Sequence, residues 1–334
     1  MGAATALAHP NIALIKYWGK RDERLILPRT SSLSMTLDIF PTTTRVRLAP
    51  AAAHDAVTLN GAPVTGEAGQ RVVAFLDLVR RRANSSLRAV VDTENTVPTG
   101  AGLASSASGF AALAVAAAAA YGLRPDATEL SRLARRGSGS AARSVFGGFA
   151  QWHAPDPGAP AADADLASYA EPVPAIALDP ALVIAVVNAG PKATSSRAAM
   201  RRTVDTSPLY EPWARSSEDD LDGMRAALRR GDLDAVGRIA ERNALGMHAT
   251  MLAARPAVRY FAPATITVLD AVLRLRQDGT AAYATMDAGP NVKVLCRRTD
   301  AGRVAAAVRD AAPDAAVHTA GPGPGARLLD EDGR

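Results

Sequence analysis

The sequence predicts an α+β protein of two lobes, and three features carry that expectation. Short strand-like runs crowd the first third, helical and strand patterns alternate afterwards, and a Pro-, Ala- and Asp-rich stretch over 154–174 reads as a surface insertion or linker. Residues 1–180 are expected to form an N-terminal lobe of mainly antiparallel sheet packed on helices, and residues 181–334 a C-terminal α+β lobe. A chain of 334 residues is ample for a sizeable core, and no repeat of solenoid period is visible.

Strand-like runs fall at 12–15, 34–39, 44–48 and 57–59, the last followed by the turn signal Asn60-Gly61. A helix over 70–82 places Val72, Phe75, Leu76 and Val79 on one face, opposite several arginines. A strand over 87–92 leads into a glycine-rich loop and an alanine-rich helix that ends near Gly122. A second helix over 128–136 precedes 137–144 (GSGSAARS), too rich in glycine and serine for an ordinary helix interior. A strand over 182–188 is followed by a polar, mobile segment at 189–197. Helices are expected over 216–230, 233–251 and 264–278. Strands over 281–286 and 291–296 flank the turn 287–290, and a helix over 300–312 precedes the glycine- and proline-rich 321–327.

The run 97–110 (VPTGAGLASSASGF) carries the strongest chemical signal. Its glycines permit close backbone approach and positive φ, its serines can cap the helix or face phosphate, and the helix N-terminus offers free N–H groups to an anion. It lacks the spacing of a Walker A loop or of a dinucleotide fingerprint. A tight turn before a buried helix is the plainer alternative.

A formal charge of +5 is spread along the chain and aromatics are scarce, which argues against a nucleic-acid surface and suits a small polyanion. One cysteine, Cys296, excludes an internal disulfide and a cysteine-based metal site and points to a reducing cytoplasm. No signal peptide is evident, and the longest apolar run, 110–121, is too short for a bilayer. His9, His54, His153, His248 and His318 are isolated, with no metal-ligand spacing.

The segment 98–109 resembles the phosphate-binding motif of the GHMP kinase superfamily, and 321–327 (GPGPGAR) its C-terminal glycine motif. Four further segments, 11–22 (NIALIKYWGKRD), 136–144 (RGSGSAARS), 203–208 (TVDTSP) and 286–293 (MDAGPNVK), resemble the diphosphomevalonate decarboxylase family. That resemblance implies the two-lobed GHMP kinase fold, an active site in the cleft, a cytoplasmic homodimer, and ATP, Mg2+ and mevalonate 5-diphosphate as ligands. It implies that Asp287 orients or deprotonates the substrate's 3-hydroxyl, that Lys16 lies beside Asp287, and that Arg143, oriented by Asn11, grips the C1 carboxylate. On the residues alone, the plainer readings are Asp287 as a turn aspartate, Lys16 as a solvated-edge lysine and Arg143 as a helix-surface cation.

The resemblance further implies a substrate diphosphate pocket made by Tyr17, Trp18, Gly19, Lys20, Arg71, Ser138, Gly139, Ser140, Ala141, Ala142 and Thr206. It implies an ATP site made by Pro98, Gly100, Ala101, Gly102, Leu103, Ala104, Ser105, Ser106 and Ser108, closed by Lys192, Ser195 and Ser196, with Ser106 the protein neighbour of the metal. Thr30 stands where many members carry Asn, and 154–174 is an atypical insertion. Two alternatives stay open: a relative that takes mevalonate 5-phosphate or stops after 3-phosphorylation, and a non-catalytic small-molecule sensor.

Overall fold

The computed structural model describes residues 2–97, 105–187, 190 and 194–330. Its first sheet has six strands in the order Arg327–Leu329, Ala3–Ala8, Thr42–Ala49, Arg88–Asn95, Ala56–Leu59 and Ala62–Pro63. Neighbours run antiparallel except Ala56–Leu59 beside Arg88–Asn95. Thr42, Thr44 and Val46 point inward, with exposed or half-buried residues between them, which is the period-2 pattern of a sheet covered on one face. The cover is the helix Ser105–Ala120, apolar all round and therefore a core helix.

A second sheet orders Ala170–Pro172, Phe149–Trp152, Ser32–Thr36 and Asn11–Ile15. A third orders Ala282–Met286, Val292–Arg297, Pro180–Val186 and Ala316–Ala320, all antiparallel. Pro180–Val186 is buried throughout because both faces are covered. Leu182, Ile184 and Val186 pack with residues of the helices Tyr210–Arg230 and Leu233–Leu252, whereas Ala181, Val183 and Ala185 pack with those of Pro263–Gln277 and Ala301–Ala311.

The two halves share a core: Ile12, Leu14, Ile15, Leu33 and Met35 sit in one cluster with Leu182, Ile184, Leu221 and Met224. The last strand, Arg327–Leu329, pairs with Ala3–Ala8, so the C-terminus crosses back over the expected division at residue 180 and completes the first sheet. Gly323 crosses strand Ser32–Thr36 just beyond its end, where a Cβ would lie 1.9 Å from the Leu37 carbonyl oxygen. Further along the run, the Ala326 N–H meets the Ser144 and Val145 carbonyls at 3.2 Å, so it also packs on the turn after Arg143.

The expectation of a linker at 154–174 is corrected. It holds the helix Ala161–Ala167 and the edge strand Ala170–Pro172, and Ala164 is buried against Leu25 and Leu27. Arg135 donates to Asp165 Oδ1 and to the Leu25 carbonyl. Of the segment 189–197, Ser195 caps the helix Ser196–Thr206 by accepting from the Ala198 N–H at 3.3 Å.

Candidate active site

Lys16 follows the fully buried strand Asn11–Ile15, and Asp287 opens the turn after Ala282–Met286. The fold brings them together across 271 residues: Lys16 Nζ lies 2.8 Å from Asp287 Oδ1. Lys293, on the returning strand Val292–Arg297, places its Nζ 3.2 Å from Asp287 Oδ2. One carboxylate is thus held between two buried ammoniums, with about a quarter of its side chain open (27 %). Burial alone would raise the Asp287 carboxyl, but Lys16 and Lys293 outweigh it and hold the group well below the usual carboxylate range. Burial pushes the Lys16 ammonium down to about 8 despite Asp287.

Arg143 lies in the short helix Ala141–Ser144 and is 2 % exposed, so it is no surface cation. Its Nε donates to Ser34 Oγ at 2.9 Å, Nη1 to Ser32 Oγ at 2.5 Å and Nη2 to Asn11 Oδ1 at 3.3 Å. Asn11 in turn donates to the Ser140 carbonyl at 3.0 Å and to Ser144 Oγ at 2.8 Å. Among the described residues no carboxylate forms a salt bridge with Arg143. Burial lowers its guanidinium to about 10, with Asp287 the main opposing charge.

The two glycine–serine elements meet. Ser106 Oγ, at the exposed start of the helix Ser105–Ala120, lies 3.2 Å from Ser138 Oγ, and Ser138 Oγ lies 3.4 Å from Ser140 Oγ. Gly139 lies against Tyr17 and Trp152, where an added Cβ would be 3.0 and 2.7 Å away. The Tyr17 hydroxyl is buried without a hydrogen-bond partner among the described residues, and Ala141 and Ala142 are buried beneath the turn. Arg71 donates to the Gly137 carbonyl at 3.0 Å and stacks over Phe110.

Other sequence-derived candidates have local engagements. Lys20 pairs with Glu23. Trp18 is buried at 2 % with Met200, Tyr210 and Trp213, and Gly19 lies against the Tyr210 ring. The Thr206 hydroxyl donates to the Arg202 carbonyl and accepts from the Arg255 N–H, both at 2.7 Å. Ser108 is fully buried, hydrogen-bonded to Thr42 Oγ1 and the Ser105 carbonyl. Ser105 is exposed, Ser196 half-buried, and Thr30 buried with a hydroxyl that has no partner among the described residues. Pro98, Gly100, Ala101, Gly102, Leu103, Ala104 and Lys192 lie outside the described residues.

The sequence pattern gives no role to Lys293 or Asn243 and shows His248 only as an isolated histidine without metal-ligand spacing. A lysine inside the apolar run 292–296 was the available signal for the first, and it is buried there at 1 %. Asn243 accepts the Lys16 main-chain N–H, and His248 Nε2 meets the Asp287 carbonyl. Cys296 is buried, its thiol pushed up to about 12 by burial, which fits a structural role. No group of three or more His, Cys, Asp or Glu able to hold a metal occurs among the described residues.

The chain is similar to known proteins over nearly its whole length. A family model for the diphosphomevalonate decarboxylase-like N-terminal domain matches residues 8–163, and one for the mevalonate 5-diphosphate decarboxylase C-terminal domain matches residues 182–322. The chain is 39 % identical to a diphosphomevalonate decarboxylase of Ganoderma lucidum, over 87 % of this chain and 77 % of that one. It is 34 % identical to a phosphomevalonate decarboxylase of Haloferax volcanii over 98 % of both. A solved structure of MDDEF in complex with MVAPP, AMPPCP and magnesium superposes with a TM-score of 0.91 at 43 % identity, covering 98 % of each chain. The chain belongs to the diphosphomevalonate decarboxylase family.

Proposed function

We propose that Asp287, Lys16, Lys293 and Arg143 carry the family's reaction in this chain: ATP-dependent 3-phosphorylation and decarboxylation of mevalonate 5-diphosphate to isopentenyl diphosphate, ADP, phosphate and carbon dioxide. The observation that carries the reading is a carboxylate locked between two ammoniums beside a buried guanidinium that has no carboxylate of its own. Three cations and one anion leave the cleft positively charged, which complements a substrate carrying a carboxylate and a diphosphate.

The substrate's hydroxide is a poor leaving group, so phosphorylation must come first. A carboxylate as acidic as Asp287 is a weak base toward an alcohol, and its main work is to accept a hydrogen bond from the 3-hydroxyl and aim its oxygen at the γ-phosphorus. Phosphoryl transfer through a loose transition state demands the proton only late, when Asp287 can take it. Lys16 and Lys293 stabilise charge developing on the transferred group. The C3–O bond then breaks toward phosphate, the C1–C2 bond pair forms the new C2=C3 bond, and C1 leaves as carbon dioxide. Arg143 holds the C1 carboxylate through its two-pronged edge until that bond breaks.

Magnesium, which the solved complex of the relative contains, would when bound supply charge neutralisation for the nucleotide. The exposed hydroxyl of Ser106 at a helix start suits such a site, since the described residues supply no carboxylate cluster. We assign residues 1–180 and 181–334 to the two lobes, with the final strand returned to the first, Ser138–Ser140 and Tyr17 to the diphosphate, and Ser105, Ser195 and Ser196 to the ATP side. A cytoplasmic homodimer completes the reading.

The Haloferax relative keeps open a second substrate, mevalonate 5-phosphate. Incubation with ATP and each substrate separates the readings. Equal amounts of carbon dioxide and ADP with the diphosphate as preferred substrate support the proposal. Preference for the monophosphate, ADP without carbon dioxide, or binding without either product each contradict it.

A further inference from the structure

The ion pair Lys16–Asp287 joins residues 271 positions apart on different sheets, and its side chains cannot by themselves fix where the two backbones sit. One helix touches both. Asn243 Oδ1 accepts the Lys16 main-chain N–H at 2.8 Å, and His248 Nε2 lies 3.1 Å from the Asp287 main-chain oxygen. Both side chains belong to Leu233–Leu252, and the rise per residue sets them about 7.5 Å apart along its axis.

Each contact is itself held. Asn243, 1 % exposed, donates to Ser217 Oγ and Asp220 Oδ2, both at 3.0 Å, and Asp220 is bound by Arg242. The Asn243 carbonyl accepts the Trp213 indole N–H at 3.1 Å. His248, 3 % exposed, stacks on Phe261 with ring centroids 4.6 Å apart. A carbonyl only accepts, so Nε2 is the protonated nitrogen of His248.

We propose that the helix Leu233–Leu252 is a ruler for the catalytic pair, with Asn243 and His248 as positioning residues that fix the main chains of Lys16 and Asp287 at the separation the reaction needs. Neither side chain touches substrate in this account; each acts through the residue it holds. The inference rests on the decarboxylase reading above and adds two residues to it.

The test compares His248→Phe, which keeps the stacking ring and loses the donor, with His248→Gln, which restores an amide donor, and adds Asn243→Ala. In folded protein, checked by circular dichroism and melting temperature, His248→Phe is expected to lower kcat about 10- to 100-fold with KM changed less than about twofold. His248→Gln is expected to recover most of that loss. Acylation of Lys16 by an amine reagent, read by peptide mass spectrometry, needs no turnover and is expected to rise severalfold in His248→Phe and fall back in His248→Gln. Wild-type kcat in His248→Phe, or loss without recovery in His248→Gln, overturns the inference. If Asn243→Ala does not fold, the His248 pair decides alone. If wild-type protein releases no carbon dioxide from either substrate, the decarboxylase reading fails, and Lys16 acylation still reports whether the helix holds the pair.

Discussion

Two buried arginines of the N-terminal half, Arg80 and Arg143, have opposite surroundings. Arg80, 5 % exposed, grips Asp55 through two hydrogen bonds of 2.9 Å, reaches Asp77, and meets the Tyr121 hydroxyl at 3.3 Å. Asp55 is itself fully buried and also accepts the Ala89 N–H. Burial lowers the Arg80 guanidinium, but its bonds to Asp55 and Asp77 outweigh this and leave it raised. Arg143 is as buried, yet its partners are two serine hydroxyls and an amide, and burial leaves it lowered. The first site has its anion built in and ties the helix Gly66–Arg82 to the sheet. The second is a buried cation with no carboxylate salt bridge among the described residues, an arrangement that costs stability and, on the proposed reading, serves substrate binding.

Substitutions at the two arginines should therefore separate activity from stability. Arg143→Gln is expected to lower kcat/KM about 1000-fold, the scale of a lost charged contact in a dry site, while the melting temperature stays equal or rises. Arg80→Ala should do the reverse. Leaving buried Asp55 with only Arg88, 3.7 Å away, and the Ala89 N–H is expected to destabilise the fold by about 3 kcal/mol, read by denaturant unfolding, with the folded fraction retaining kcat within twofold. An activity loss from Arg80→Ala that exceeds its unfolded fraction would break the comparison.

Arg143→Lys sharpens it. A point charge keeps the attraction but loses the fork, so KM is expected to rise about tenfold or more, with activity above that of Arg143→Gln. The pH profile probes the neighbouring cation. Lys16 is charged below its pKa of about 8, so activity that needs its ammonium is full below that value and lost as pH rises through it. Lys16→Arg is expected to remove that alkaline limb, measured as kcat/KM against pH. The smallest effect belongs to Gly139→Ala, whose Cβ would press on Trp152 and Tyr17. It is expected to raise KM a fewfold without moving kcat.

Much of this was legible in the sequence because it is local. The strand at 44–48, the amphipathic helix at 70–82 and the turn at 287–290 all follow from residue pattern and recur in the structure. Lys16, Arg143 and Asp287 stood out by their motifs. What escaped was decided by contacts between distant segments. Arg143 on its helix looked exposed until Ser32, Ser34 and Asn11 covered it. The 154–174 stretch has loop composition, but burial of Ala164 and the pairing of Asp165 with Arg135 fix it in place. The strand Arg327–Leu329 is too short to show a pattern and exists because Ala3–Ala8 offers it an edge. His248 gave no signal, since its partner is a main-chain carbonyl 39 residues away.

The central claim is that Arg143 lacks an anion because the substrate brings it. Calorimetric titration of wild type and Arg143→Gln with mevalonate 5-diphosphate, and with the same molecule carrying a neutral amide in place of the C1 carboxylate, tests this directly. Wild type is expected to bind the carboxylate at least about 100-fold more tightly than the amide, the scale of a charge-assisted bidentate contact, and Arg143→Gln to bind the two alike. Equal binding of both by wild type, or discrimination that survives in Arg143→Gln, would contradict the account.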